Sequence, residues 1–227
     1  MVTPSIGIEM PGLAFYEPCF GQEVEWIILN ALADVRARTQ SSYLRLSSKR
    51  IDQSMLVVPQ DKYDKEKLRR QVIEGAYLLV DRRDSRDYKV GVNVVNILAS
   101  GAMVPEAVEA GKQLEIEGVY ANIVNVTGPG PLYSKFQDSL DESLREGTSV
   151  TSPLIGVLSE EDSKSPIVTV ADAHPHSLAW IGGTVGSKII PLGVSDFGQS
   201  GNRDDLYRQY GIDVKTIVAA VFNALDL

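Results

Sequence analysis

Apolar positions recur along this chain at two periods. Val24, Ile27, Ile28, Ala31, Leu32 and Val35 stand at i, i+3, i+4, i+7, i+8 and i+11, which is one face of a helix. Glu23 and Glu25 fall in its first turn and Arg36 and Arg38 in its last, as the helix dipole favours. Val104, Ala107, Val108, Gly111 and Leu114 repeat the helical period after Gly101, and Val214, Ile217, Val218, Val221, Phe222 and Leu225 do so at the end of the chain. Asn202 is placed to cap one closing helix with Gly211 to stop it, and Asp213 to cap the last. Leu132–Leu144 predicts a further helix.

Between these lie short apolar runs. Ser42–Ser47, Ala76–Val80, Val92–Leu98, Val119–Val126, Ile167–Ala171 and Lys188–Val194 are expected strands. The run VNVVNIL at Val92–Leu98 is apolar on both faces, as a strand covered on both sides would be. Strand–helix alternation of this kind predicts an α/β fold, with a mostly parallel sheet and helices on both faces. Gln60–Glu74 is a dense charge run, expected to be a solvated linker with a helical patch. It divides the chain into an initial segment, 1–59, a linker, 60–75, and a larger domain, 76–227.

Composition narrows the function. The 227 residues carry a formal net charge of −8 without a basic stripe. That argues against nucleic acid and against anionic lipid as partners, since both are bound through Lys and Arg. No apolar stretch approaches the roughly 20 residues of a membrane span. The stretch Met1–Gly12 lacks the basic and apolar segments of a secretory signal. A single cysteine, Cys19, cannot form an internal disulfide and is expected to be a buried small apolar residue. A cytoplasmic location is the expectation.

Candidate chemistry is sparse. No G-x-G-x-x-G follows a strand, and there is no P-loop and no G-x-S-x-G elbow. Gly128-Pro129-Gly130-Pro131 follows an expected strand, but two prolines offer no N–H to a phosphate, so a plain turn is expected. The only two histidines sit in Asp172-Ala173-His174-Pro175-His176. In an extended segment 172, 174 and 176 would point the same way, making a metal site geometrically possible. A place on a substrate channel or subunit interface and an ordinary loop after a strand are the other two readings.

Two segments resemble the transketolase superfamily of thiamin-diphosphate enzymes. MPGLAFYEPCFGQEVEWIILNAL, followed by SSYLRLSSKRIDQ, is similar to the end of that family's pyrimidine-binding domain, with Pro11, Pro18, Glu23 and Leu46-Ser47 in matching places and Cys19-Phe20 replacing Ala-Asp. IPLGVSDFGQSGNRDDLYRQYGIDVKTIVAAVFNAL resembles the family's C-terminal domain through Asp196, Phe197, Gly198, Ser200, Leu206, Tyr210, Gly211 and Asp213. NVVNILASGAMVPEAVEAGKQL looks like its strand and following helix. The resemblance spans residues 10–227. It implies a C-terminal portion of a larger enzyme, preceded by a remnant of the pyrimidine-binding domain.

Ser48 stands where the sugar-phosphate enzymes carry a phosphate-holding arginine, with Lys49 and Arg50 just after it. That departure, and the closing segment, make the homodimeric decarboxylating component of pyruvate dehydrogenase the nearer resemblance; a transketolase or a non-catalytic oligomerisation module is the alternative. The resemblance implies thiamin diphosphate and Mg²⁺ in the parent enzyme, held by a Gly-Asp-Gly motif that does not occur here. None is therefore expected on this chain alone, no catalytic, cofactor-binding or metal residue transfers, and the chain alone is expected to be inactive. The partners implied are the remainder of the enzyme or a separate subunit, a second copy in a homodimer, and a lipoyl acyltransferase. His174, His176 and Asp196 are the candidates for the active-site rim or an interface. A small regulator bound in the sheet's carboxyl-end crevice is a further hypothesis.

Overall fold

The structure is a computed structural model and describes residues 3–227. Met1 and Val2, which the reading of the N-terminal stretch includes, lie outside the described residues.

The first unit begins with α1 (Thr3–Glu9), which the apolar pattern did not foretell, and continues as β1 (Leu13–Tyr16), α2 (Gly21–Ala37) and β2 (Ser41–Leu44). β1 and β2 pair in parallel, Leu13 opposite Ser41 through Tyr16 opposite Leu44, as a sheet of two strands. A 13-residue helix, α3 (Lys62–Glu74), then occupies most of the charge run. Asp61 caps it by accepting from the Tyr63 and Asp64 N–H groups, Val72 is its buried anchor, and Gly75 ends it at φ 111°.

The second unit carries β3 (Tyr77–Val80), β4 (Val94–Ala99), α4 (Val104–Ile116), β5 (Tyr120–Asn125), α5 (Pro129–Glu146), β6 (Ile167–Val170), two short helices α6 (His176–Ala179) and α7 (Ile181–Val185), β7 (Ile189–Leu192), α8 (Arg203–Gln209) and α9 (Val214–Leu225). Its five-stranded sheet runs β3-β5-β4-β6-β7. Every pairing is parallel except the edge pair β3–β5. The α/β reading therefore holds, with one antiparallel edge strand.

Strand alternation divides the core in two. Val95, Ile97 and Ala99 of β4 pack with α4 and α9 residues such as Ala107, Leu114, Ile217 and Val221. Leu98 faces the opposite layer, with Leu132 of α5, Leu178 of α6 and Ile181 of α7. Side-chain period two puts neighbouring residues into different layers, so a central strand carries apolar residues on both faces; Asn96 is the exception in β4, its buried amide donating to Asp162 O. Asn202 and Asp213 do cap α8 and α9, accepting from the Asp204 and Thr216 N–H groups.

Two expectations need correction. Gly128–Pro131 is the start of α5 rather than a turn. Pro129 and Pro131 sit in the first turn, where a helix has no intrahelical use for an N–H. A side chain on Gly130 would place its Cβ 2.6 Å from the Phe15 nitrogen, so these glycines let α5 lie directly on β1. The apolar stripe of α2 is likewise not a core face. Trp26 and Ile27 are buried, but Ile28, Leu29, Leu32 and Val35 are 42–63% exposed.

Candidate functional site

Strand order reverses beside β4. From β4 the chain crosses to β5 on one side, and from β5 it returns past β4 to β6 on the other. The chain leaves β4 into α4 on one face of the sheet and β6 into α6 on the other, opening between them the crevice where α/β sheets bind ligands. Ser100 follows β4 and is pinned there, its N–H donating to Val170 O at 3.2 Å and its hydroxyl to Val126 O at 3.0 Å. Gly101 comes next at φ +52°. Asp172 lies just past β6.

The first unit closes this crevice. Glu17, the residue after β1, donates its N–H to Thr127 O at 2.7 Å, which fixes its side chain over Gly101. A Cβ on Gly101 would lie 2.7 Å from Glu17 Cγ, so both the backbone angle and the close approach require glycine. Arg45, after β2, forms an ion pair with Glu17 and reaches Asp172 at 3.6 Å. Lys49 donates to Glu106 at 2.5 Å and to Ala102 O at 2.9 Å, and lies 5.4 Å from the centre of the Tyr207 ring. These groups ring a 220 Å³ cavity and an adjoining 400 Å³ cavity that share Ser47, Ser48, Ala102 and Asp172.

Burial shapes the electrostatics. Glu17 is 4% exposed, and loss of hydration pushes its carboxyl up to about 7 despite Arg45, with Asp172 adding repulsion. Asp172 is also raised, by burial, against the pull of Arg45 and Lys49. The crevice thus holds two carboxylates around one guanidinium, with a proton that Glu17 can hold or release near neutrality.

A second polar cluster joins the two units. Glu23 of α2 is 0% exposed. One carboxylate oxygen accepts from the Cys19 and Phe20 N–H groups at 2.7 and 2.9 Å. The other accepts from the Tyr77 hydroxyl and the Asn125 amide, both at 2.7 Å. Burial raises this carboxyl to about 6, and the donors hold it down from going further. Cys19 is buried, and its thiol is pushed well above its ordinary value by burial.

His174, His176 and Asp196 are brought together, lining a 300 Å³ pocket with Ser5 and Phe197. The two Nδ1 atoms are 2.7 Å apart, and Ser5 Oγ is 2.8 Å from His176 Nε2. Asp172 does not join them. Its segment is a turn entering α6 rather than an extended strand, and Asp172 faces Arg45 instead. Among the described residues, no three His, Cys, Asp or Glu side chains converge as metal ligands. Glu17 and Arg45 were not singled out by sequence, because nothing local marks them. Their pairing depends on two strand ends 28 residues apart.

Residues 75–213 match the family described as the transketolase-like TK C-terminal domain. The chain belongs to that family. The match covers the five-stranded unit from β3 to the start of α9. A putative transketolase C-terminal section from Methanocaldococcus jannaschii is 25% identical over 205 residues, 77% of this chain and 57% of the relative. The chain thus spans a little over half the length of the curated relative it matches. Solved structures extend the likeness in fold beyond the family domain. A transketolase from Leishmania mexicana superposes with TM-score 0.64 at 22% identity, over 99% of this chain and 27% of that one. A transketolase mutant from Pichia stipitis, in complex with fructose 6-phosphate, gives 0.65 at 17% identity over 100% and 27%. A split-gene transketolase described as an inactive β4 tetramer gives 0.58 at 17% identity, over 100% and 62%. The transketolase-like fold is therefore shown, while the nearer resemblance to pyruvate dehydrogenase finds no support in these matches. No helix among the described residues is long and apolar enough to cross a membrane.

Proposed function

We propose that this chain is the C-terminal part of a transketolase-type, thiamin-diphosphate-dependent enzyme and acts with a companion polypeptide that carries the cofactor. The observation that carries this reading is the crevice built jointly by the family domain and the β1–β2 unit, with Glu17 and Arg45 set over Gly101 and Asp172. The family match over residues 75–213 supports it. The division into an initial unit, 1–59, a segment 60–75, and the domain 76–227 belongs to the same proposal.

The crevice residues do not fit the cofactor itself. A diphosphate needs a cluster of available cations; Arg45 and Lys49 are engaged by Glu17, Asp172 and Glu106, and Arg203 at the cavity's edge, 4.0 Å from Asp204, is a single cation. A divalent metal needs available carboxylates, and Glu17 and Asp172 are held by Arg45. The role of this chain is then to wall the site: to position the substrate's far end, exclude water, and carry a proton on Glu17. His174, His176 and Asp196, which line one pocket beyond β6 and β7, would serve as rim or interface residues. The enzyme works in the cytoplasm.

A second reading, the 2-oxoacid dehydrogenase decarboxylating component, is favoured by one observation. Near Ser48 the crevice cations Arg45 and Lys49 are paired with carboxylates, which suits a substrate without phosphate such as pyruvate, and a lipoyl acyltransferase would then receive the acyl group.

The test is reconstitution. The purified chain, alone and mixed with the companion cofactor-binding polypeptide, is assayed for ketose-to-aldose transfer and for pyruvate decarboxylation. No turnover alone and two-carbon transfer on mixing are expected. Pyruvate turnover on mixing would select the second reading. Micromolar binding of thiamin diphosphate and Mg²⁺ by the chain alone, in titration calorimetry, would overturn the proposal.

A further inference from the structure

Ser5, His176 and His174 form a chain of hydrogen bonds whose direction follows from their geometry. Ser5 Oγ is 2.8 Å from His176 Nε2, and the Nδ1 atoms of His176 and His174 are 2.7 Å apart. The backbone N–H of His176 also points at His174 Nδ1, at 3.3 Å. An N–H can only donate, so His174 Nδ1 is an acceptor and that ring carries its proton on Nε2. The contact between the two rings then needs a proton from His176 Nδ1. A neutral imidazole has a single N–H, so His176 Nε2 presents a lone pair, and the Ser5 hydroxyl donates to it.

The order is nucleophile, base and orienting group. A hydroxyl becomes a nucleophile when a neighbouring base takes its proton, and a third group holds that base in the tautomer able to do so. A histidine that only tethered α1 would need its bond to Ser5 and nothing behind it. Here the second ring fixes which nitrogen of His176 is free.

The backbone holds this arrangement in place. α1 packs against β1, α5 and α6, which brings Ser5 to His176, the first residue of α6. Pro175 restricts the chain between the two histidines, and the Ser177 N–H closes the turn on His174 O at 3.0 Å. The facing wall, Ser195–Gly198, is anchored where the Val194 N–H meets Ala173 O at 2.7 Å. Gly193 permits that approach, since a Cβ there would lie 2.4 Å from the same oxygen. Ser5 and both histidines line the resulting 300 Å³ pocket, large enough for a small acyl group. Ser5 is buried, while His176 is exposed and within reach of water. Phe197 offers an apolar wall, and the Asp196 carboxylate disfavours an anionic acyl group.

We propose that Ser5 is an acyl-accepting nucleophile, with His176 as its base and His174 positioning that base, and that this pocket hydrolyses small uncharged carboxylic esters. In the first step Ser5 Oγ bonds to the carbonyl carbon and its proton passes to His176 Nε2. The bond from that carbon to the alcohol oxygen breaks, and the alcohol leaves with the proton. In the second step water gives a proton to His176 Nε2 and its oxygen bonds to the acyl carbon. The bond to Ser5 Oγ breaks, and the serine recovers the proton. Ester and water are the only reactants, and the activity is independent of the transketolase-type reading.

Labelling of the full chain with a fluorophosphonate tests this. The reagent loses fluoride as a serine oxygen bonds to phosphorus, and peptide mapping by mass spectrometry locates the adduct. A single adduct on Ser5 is expected, absent from Ser5→Ala and from the heat-unfolded chain. With p-nitrophenyl acetate, a stoichiometric burst of nitrophenolate should precede slower turnover. His176→Gln keeps an acceptor beside Ser5 but no base, and should slow labelling about 100-fold. His174→Leu should slow it as well, and His174→Asn, whose carbonyl can accept from His176 Nδ1, should recover part of the loss. A wild-type chain that takes no label, or takes it elsewhere than on Ser5, overturns the proposal. So does His176→Gln labelling at the wild-type rate with unchanged circular dichroism. The wild-type map decides by itself if a variant folds poorly.

Discussion

Removing the carboxylate of Glu23 tests the reasoning most directly, since this one side chain ties α2 to both β3 and β5. Glu23→Ala would leave four buried donors: two backbone N–H groups, the Tyr77 hydroxyl and the Asn125 amide. Each buried donor left without a partner costs roughly 1–3 kcal/mol. Relaxation and entering water reduce the sum, so a loss of about 4 kcal/mol is expected, against a total of roughly 5–15 kcal/mol for a domain. Glu23→Gln keeps one carbonyl for the backbone pair and turns an NH₂ toward Tyr77, whose oxygen can accept. It should cost about 1–2 kcal/mol. The two variants also differ from wild type in pH dependence. The folded pKa of Glu23 is raised from 4.5 to about 6, so the native state binds more protons than the unfolded state between those values. Stability contributed by that proton is present below pH 4.5 and is lost as pH rises through 6. Wild type should therefore lose about 2 kcal/mol relative to Glu23→Gln between pH 4.5 and pH 7. Urea unfolding at a series of pH values measures both quantities. An alanine penalty under about 1 kcal/mol, or a gap between wild type and Gln that widens in wild type's favour with rising pH, would refute the account of this cluster.

Three further outcomes are expected. Gly101→Ala combines a left-handed backbone angle with a Cβ against Glu17 and should cost about 2–3 kcal/mol in urea unfolding; a neutral result would mean that Glu17 is free to move away. Glu17→Gln should become progressively more stable relative to wild type as pH rises from 4.5 to 8, by roughly 3 kcal/mol, because the native carboxyl titrates near 7; paired thermal melts across that range would show it, and parallel curves would argue that Arg45 keeps Glu17 ionised throughout. Asn202→Ala removes the cap on α8 and should cost about 1 kcal/mol, read as a lower Tm, whereas Asn202→Asp should leave Tm nearly unchanged.

Much of the fold was legible because it is written in local periods. The strand at Val94–Ala99 is apolar at every position but Asn96, and the terminal helix carries its stripe and its Asp213 cap in consecutive sequence. α1 was missed because TPSIGIE has neither a charged face nor a helical stripe; its Gly7 is held against Phe15, where a Cβ would be 2.7 Å from the ring. Gly128–Pro131 misled because the same residues serve a turn and a helix start, and only the approach of Phe15 to Gly130 distinguishes them. His174, His176 and Asp196 are 20 or more residues apart at the extremes, yet the sequence did name three groups that share one pocket.

By itself, then, the sequence determined the α/β class, the strands and most of the helices of residues 76–227, the caps of the last two helices and the resemblance to transketolases, all of which depend on neighbours or on short motifs. Tertiary structure alone decided which of those residues meet. Glu17 and Arg45 are ordinary charged residues until two parallel strands end side by side over Gly101. Glu23 reads as a first-turn acid favoured by a helix dipole, and becomes the anchor between units only where Tyr77 and Asn125 converge on it. The stripe on α2 has the period of a core helix, and the structure turns half of it outward. Periodicity reports that a face must be covered; it carries no information on whether the covering surface belongs to the same chain.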